Sequence, residues 1–233
     1  MGRDLHNHND RSQIRAWPSL SRAIIVINLD TAPRRRGRPR EFDIETALIH
    51  AAETFWRLGY EGASIVDLTS AMGITPQSLY GAFGSKAELY KRSLSQYLET
   101  AGAFAREALG QEPTAARAVC RLLRAAPHEF CRPGSLPGCM VSTGAIACAE
   151  ENADIAAHVA SLRAQKLAQV RDRLERGLAE GDVPPHTDIS ALARFVQAVM
   201  LGMSLQARDG ASEAELAAVA ELACAEVARQ AAG

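Results

Sequence analysis

The chain has 233 residues, of which 47% are hydrophobic, 23% charged and 5% aromatic, with a formal net charge of −1. A chain of this length buries roughly 70% or more of its unfolded surface and needs no staple to hold a core, while its near-neutral balance excludes a generic polyanion binder that works through overall positive charge. Five cysteines, an odd count with no C-x-x-C pair, exclude a secreted disulfide framework and point to a reducing cytoplasm.

Residues 1–33 open on a polar stretch, His6 to Asp10, and carry no periodicity. Their apolar run, Ala23 to Ile27, is far shorter than the roughly 20 residues of a membrane span or the about 7–15 of a signal-peptide core. The segment is expected to be poorly ordered. Patterning that begins only after Ala32-Pro33 leaves two readings, a flexible arm or a stretch upstream of a translation start near Val26, which an intact native mass separates. The next seven residues hold five arginines, Arg34, Arg35, Arg36, Arg38 and Arg40, with Gly37 and Pro39 opposing a helix. Such an arm suits phosphates or a minor groove, and equally a solvated tail.

From Asp43 the apolar period becomes helical through Ile44, Ala47, Leu48, Ala51, Phe55 and Leu58, and Gly59 supplies a stop. Ser64 to Asp67 spells a capping box for a short second helix ending at Gly73. Thr75 caps a third, Pro76 suits its first turn, Leu79 and Phe83 form its buried side, and Gly84 ends it. A further box, Ser85 to Glu88, opens a long amphipathic helix through Leu89, Leu94, Leu98 and Phe104. Pro113 starts a helix to about Phe130, residues 132–138 are a loop, and Cys139 to Ala149 reads as a compact apolar helix. Asn152 is placed as the cap of a long helix whose stripe, Ile155, Val159, Leu162, Leu167, Val170, Leu174 and Leu178, runs to Gly181. Asp188 to Arg208 and Ser212 to Gln230 complete an all-α chain without β alternation or repeats.

The informative unit is residues 64–83, two short helices joined through Met72-Gly73-Ile74-Thr75, the layout of a helix-turn-helix. Its neighbours carry Arg36-Gly37-Arg38-Pro39, Ala51 to Phe55, Gly59-Tyr60-Glu61-Gly62 and Ser78 to Leu89. Across about residues 34–90 the chain resembles the TetR family of transcriptional regulators. The resemblance implies a helix-turn-helix DNA-binding domain over 34–84, with the arginine arm, and a helical effector-binding and dimerisation domain over 85–233. It implies that Thr75, Gln77 and Ser78 face the groove, with Ser64 and Pro76 beside them, and that Tyr80 and Lys86 meet phosphates. Lys86 at a helix N-terminus and glutamine's fit to adenine are physically apt. Thr69, where many members have alanine, and Ala82, where many have histidine, depart from the pattern.

The apolar surplus of Ile189, Leu192, Phe195, Val196, Val199, Met200 and Met203, with Leu216, Val219, Leu222 and Val227, predicts a homodimer through residues 188–231 on a pseudo-palindromic double-stranded operator. The resemblance further implies a small-molecule effector pocket, for which Tyr97, Phe104, Leu123, Phe130, Cys139, Met140, Ile146 and Leu162 are the candidates. The expected function is a homodimeric repressor released from its operator by that effector. Two alternatives stay open: a thiol sensor of electrophiles or oxidants at Cys139, which follows Pro137-Gly138 near a helix start, and a regulator answering to a protein partner. No metal or cofactor is expected, since His128, Cys131 and Cys139 are irregularly spaced and Asp154 with His158 reads as a solvated helix face. No phosphate loop, G-x-S-x-G or H-E-x-x-H speaks for an enzyme.

Overall fold

The computed structural model describes residues 42–232, and among them every regular element is a helix. The arginine arm and the expected disorder of residues 1–33 lie outside the described residues. Helices α1 (Ile44–Gly62), α2 (Ile65–Met72), α3 (Pro76–Phe83) and α4 (Lys86–Glu99) form an amino-terminal bundle. Their starts are fixed by side-chain caps that satisfy orphan backbone N–H groups. Asp43 accepts from the amides of Glu45 and Thr46, Thr75 from that of Ser78 and Ser85 from that of Glu88. Ser64 and Asp67 close a complete capping box. Gly59, at φ +75°, kinks α1 where a stop is expected. Phe55, Leu68, Leu79, Leu89, Tyr90 and Leu94 fill the interior of this bundle, whereas Ile44 and Leu58, assigned to the α1 stripe by spacing, are more than 40% exposed.

The rest comprises α5 (Ala103–Gln111), α6 (Ala115–Phe130), α7 (Met140–Thr143), a 3-10 turn at Glu150–Asn152, α8 (Ala153–Glu180), α9 (Ile189–Arg208) and α10 (Glu213–Ala232). Helix α6 is central and packs against α5, α8, α9 and α10. Helix α9 is long and apolar enough to cross a membrane by length and composition, yet Leu192, Ala193, Val196, Met203 and Ala207 sit in the protein core.

Three expectations are corrected. The helix opening at Lys86 stops at Glu99, and a tight turn at Thr100–Gly102 precedes α5, so Phe104 belongs to a separate helix. The helix expected over 139–149 keeps one turn only: at Gly144 a Cβ would lie 2.5 Å from the Met140 carbonyl and 2.8 Å from the Tyr90 hydroxyl, and Ala145 follows at φ 45°. Asn152 precedes α8 without capping it: its backbone, at φ −109° and ψ 19°, lacks the extended conformation of an N-cap, and its side-chain N–H donates to Glu61.

Candidate nucleic-acid interface and its link to the helical core

Helix α3 divides sharply between two faces. Leu79 and Phe83 are buried, and Thr75, Pro76, Gln77 and Tyr80 are exposed, Tyr80 by 48%. Ser78 is half-buried, and its hydroxyl lies 3.0 Å from that of Thr75. Ser64 is exposed at the start of α2. Gly73, in the left-handed region at φ +66°, ends α2 and lets the chain turn into α3. The two departures from the family pattern are absorbed locally. Thr69 is buried and donates its hydroxyl to the Ile65 carbonyl. The Ala82 carbonyl accepts from Arg92, whose guanidinium stacks 4.8 Å from the Phe83 ring.

Lys86 opens α4 but is folded inward, its ammonium 4.6 Å above the Tyr60 ring. Burial lowers its pKa, opposed by the Glu61 carboxylate. Glu61 in turn accepts from the Ala149 amide at 2.5 Å and the Asn152 side chain at 3.0 Å, which hold its carboxyl below the ordinary range. The end of α1 is thus pinned to the segment before α8. A second tie comes from α9, where Arg208 donates to the Trp56 carbonyl and to Thr143 in α7. Arg163 of α8 donates to the Val141 and Gly144 carbonyls, so α7 is gripped from two sides.

Cys139 sits at the head of α7, buried, with its amide donating to Ser204 at 2.8 Å. Lys166 of α8 donates to its sulfur at 3.3 Å. Burial alone would push this thiol up, but the Lys166 ammonium and hydrogen bonds from Ser142 and Tyr97 outweigh it and bring it down to about 7. Burial, and next the Cys139 charge, hold the Tyr97 phenol well above its ordinary value, so it stays a proton donor. The arrangement stabilises a thiolate in a dry site, the state in which a cysteine is a nucleophile.

The predicted pocket residues separate. Leu123, Phe130, Met140 and Tyr97 are buried, and Phe104 and Leu162 are half-buried. Tyr97, Phe104 and Phe130 line a cavity of about 30 Å³ together with Trp56. Phe104 and Phe130 also wall a second one of about 30 Å³, which Ser142 and Lys166 enter from the thiol side. Each has room for about one water. Leu123, Met140, Leu162 and Cys139 line neither cavity. Ile146 is 71% exposed and is no pocket residue, because the chain unwinds after Thr143 and carries it outward.

Sequence reasoning missed Lys166, Glu61 and Arg208. Lys166 had a signal: it occupies the position between Leu162 and Val170 in the i, i+4 row of α8, where an apolar residue is the rule. Glu61 and Arg208 have none for these roles, since both act on atoms remote in sequence.

Comparison with known proteins agrees with this geometry. The family profile described as bacterial regulatory proteins, tetR family, matches residues 48–92, and a tetracyclin repressor-like C-terminal domain profile matches residues 114–222. The chain is 31% identical over 188 residues to the HTH-type transcriptional repressor ComR of Escherichia coli (strain K12), covering 80% of this chain and 90% of the relative. It is 30% identical over 177 residues to the uncharacterised regulator YezE of Bacillus subtilis (strain 168), covering 74% and 89%. Among solved structures, a cysteine mutant of the regulator CifR complexed with 26 bp double-strand operator DNA is 39% identical, with a TM-score of 0.78 over 81% of this chain and 98% of that one.

Proposed function

The chain belongs to the tetR family of bacterial transcriptional regulators, and on that premise we propose that it is a homodimeric repressor binding a pseudo-palindromic operator and released by a small molecule. The observation that carries this reading is the split of α3: a buried apolar side anchors it to the bundle while Thr75, Gln77 and Tyr80 stand free for base edges and phosphates. In this reading residues 34–84 form the DNA-binding domain and 85–233 the regulatory and dimerisation domain, the arginine arm adds phosphate contacts, and Lys86 swings from Tyr60 to the DNA backbone. Exposed Phe195, Leu205 and Leu222 on α9 and α10 support dimerisation through residues 188–231. Two recognition helices then meet half-sites roughly 34–36 Å apart, in the cytoplasm.

The test is retention and sequencing of fragmented genomic DNA at stated salt. An enriched palindrome is expected, with Tyr80→Ala and Gln77→Ala each weakening operator binding about tenfold, in line with a cost of about 1–3 kcal/mol per good contact. Their melting temperatures should not move. Absence of any enriched sequence, with or without cell extract, overturns the reading.

A second reading concerns release, and the Lys166–Cys139 contact favours it. The two cavities beside Tyr97, Phe104 and Phe130 hold only about 30 Å³ each, too little for a preformed non-covalent ligand at those residues, whereas a small electrophile needs only the thiolate. Alkylation of Cys139 would crowd α7 and strain its ties to Trp56 through Arg208 and to Glu61 through residues 144–152. Iodoacetamide should then release the operator from the natural chain and leave Cys139→Ser bound. Equal release of both would assign the effect elsewhere.

A further inference from the structure

A second pair of cysteines lies far from α7 in sequence and takes no part in the reading above. Cys120 of α6 and Cys224 of α10 are buried side by side, 7% and 3% exposed. Each sulfur lies 3.6 Å from the carbonyl oxygen of the other residue. That reciprocal approach requires two helix backbones in close contact, which the small residues Ala116, Ala225 and Ala228 on the same seam permit. The pair is not sealed off. Both cysteines line a cleft of about 710 Å³ between α6 and α10, rimmed by Arg117, Arg121 and Arg124. Arg124 crosses the cleft to Glu221 in a two-pronged ion pair at 2.6 and 2.8 Å beside the thiols.

We propose that Cys120 and Cys224 form a redox pair, which a hydroperoxide entering this cleft converts into a disulfide tying α6 to α10. The chemistry balances with hydrogen peroxide as the oxidant. The Cys120 thiolate attacks one peroxide oxygen, the O–O bond breaks, and the departing hydroxide takes up a proton as water, leaving a sulfenic acid. The Cys224 thiol then attacks that sulfur, the S–S bond forms, and the sulfenic oxygen leaves as a second water with the remaining thiol proton. Two thiols are oxidised by two electrons and one peroxide is reduced to two waters. The order of attack follows from the surroundings. The hydrogen bond from Cys224, with the Arg124 guanidinium, lowers Cys120 against the opposing effect of burial, and the Cys120 contact and burial raise Cys224. The bridge would span 104 positions of sequence and restrain the unfolded chain accordingly.

The experiment treats the intact full-length protein with hydrogen peroxide, blocks remaining thiols with iodoacetamide after denaturation, and maps peptides without reduction. The expected result is a linked Cys120–Cys224 peptide, migration as a single chain on a non-reducing gel, a raised melting temperature, and recovery of both of these thiols with dithiothreitol. Cys139→Ser should give the same link, which separates this pair from the thiol at α7, and Cys120→Ser or Cys224→Ser should abolish it. The inference is overturned if peroxide oxidises other cysteines while Cys120 and Cys224 both remain free, if the link joins two chains, or if Cys120 proceeds to sulfinic acid without bridging. The natural chain and Cys139→Ser decide the matter even where the other two variants fold poorly.

Discussion

Replacing Lys166 by methionine removes one charge from a buried contact and keeps the length and much of the apolar bulk of the side chain. In the natural chain the Cys139 thiol falls from 9.0 to about 7 despite complete burial, which corresponds to a preference of about 3 kcal/mol for the thiolate. Without the ammonium, burial is opposed only by the hydrogen bonds of Ser142 and Tyr97, and the thiol should titrate above its ordinary value. At pH 7 the thiolate fraction then drops from about one half to about 1% or less, and alkylation of Cys139 should slow about 50-fold. The assay is the pH–rate profile of iodoacetamide labelling at Cys139, read by peptide mass spectrometry, with Lys166→Arg expected to restore part of the rate. The linkage has a definite sign: a thiol depressed in the folded state stabilises the protein fully above about pH 9, and that contribution is lost as pH falls through about 7. Lys166→Met should lose this pH dependence as well. A labelling midpoint still near 7 in the variant would refute the assignment of the thiolate to Lys166.

Three further outcomes follow from the geometry. Leu222→Asp places a charge at a position 75% exposed on α10, so light scattering should report single chains while circular dichroism stays helical. Gly138→Ala forces a side chain into φ +82° with its Cβ 2.5 Å from the Ser204 carbonyl, and urea unfolding should show a loss of about 2 kcal/mol or more. Ser64→Ala opens the capping box of α2, which should cost about 1 kcal/mol of stability and show as a lower melting temperature.

Local chemistry made the amino-terminal bundle legible. Ser64, Thr75 and Ser85 each cap the helix expected of them, and Gly73 and Gly84 end helices where the spacing predicts, whereas Gly59 only kinks α1, which runs on to Gly62. Beyond Phe83 the failures come partly from tight local turns and partly from contacts remote in sequence. At Thr100–Gly102 the glycine is the one local hint of a break: a Cβ there would lie 3.0 Å from the Leu98 backbone, so the chain folds back too tightly for a continuous helix. The segment after Cys139 is apolar enough for a helix, but Gly144 sits where a Cβ would meet the Tyr90 hydroxyl at 2.8 Å, and Ile146 is turned out to solvent. Asn152 has the right chemistry to cap α8 but makes no cap bond, and its side-chain N–H donates to Glu61. The exposed side of α3 was readable because it is the complement of Leu79 and Phe83. The surroundings of Cys139 were not, since Lys166 stands 27 positions away.

The length of α8 gives this last contact mechanical reach. Its 28 residues make a rod about 42 Å long, with Lys166 close to its middle and its first turn beside the amino-terminal bundle, where Lys91 faces Asp154 at 3.9 Å. A rod pivoting at its centre by about 3° moves each end by about 1 Å. That travel is enough to part the Glu61 hydrogen bonds at 2.5 and 3.0 Å. Helix α8 therefore carries the thiol contact at Lys166 and the segment latched to Glu61 on one rod, about 20 Å apart.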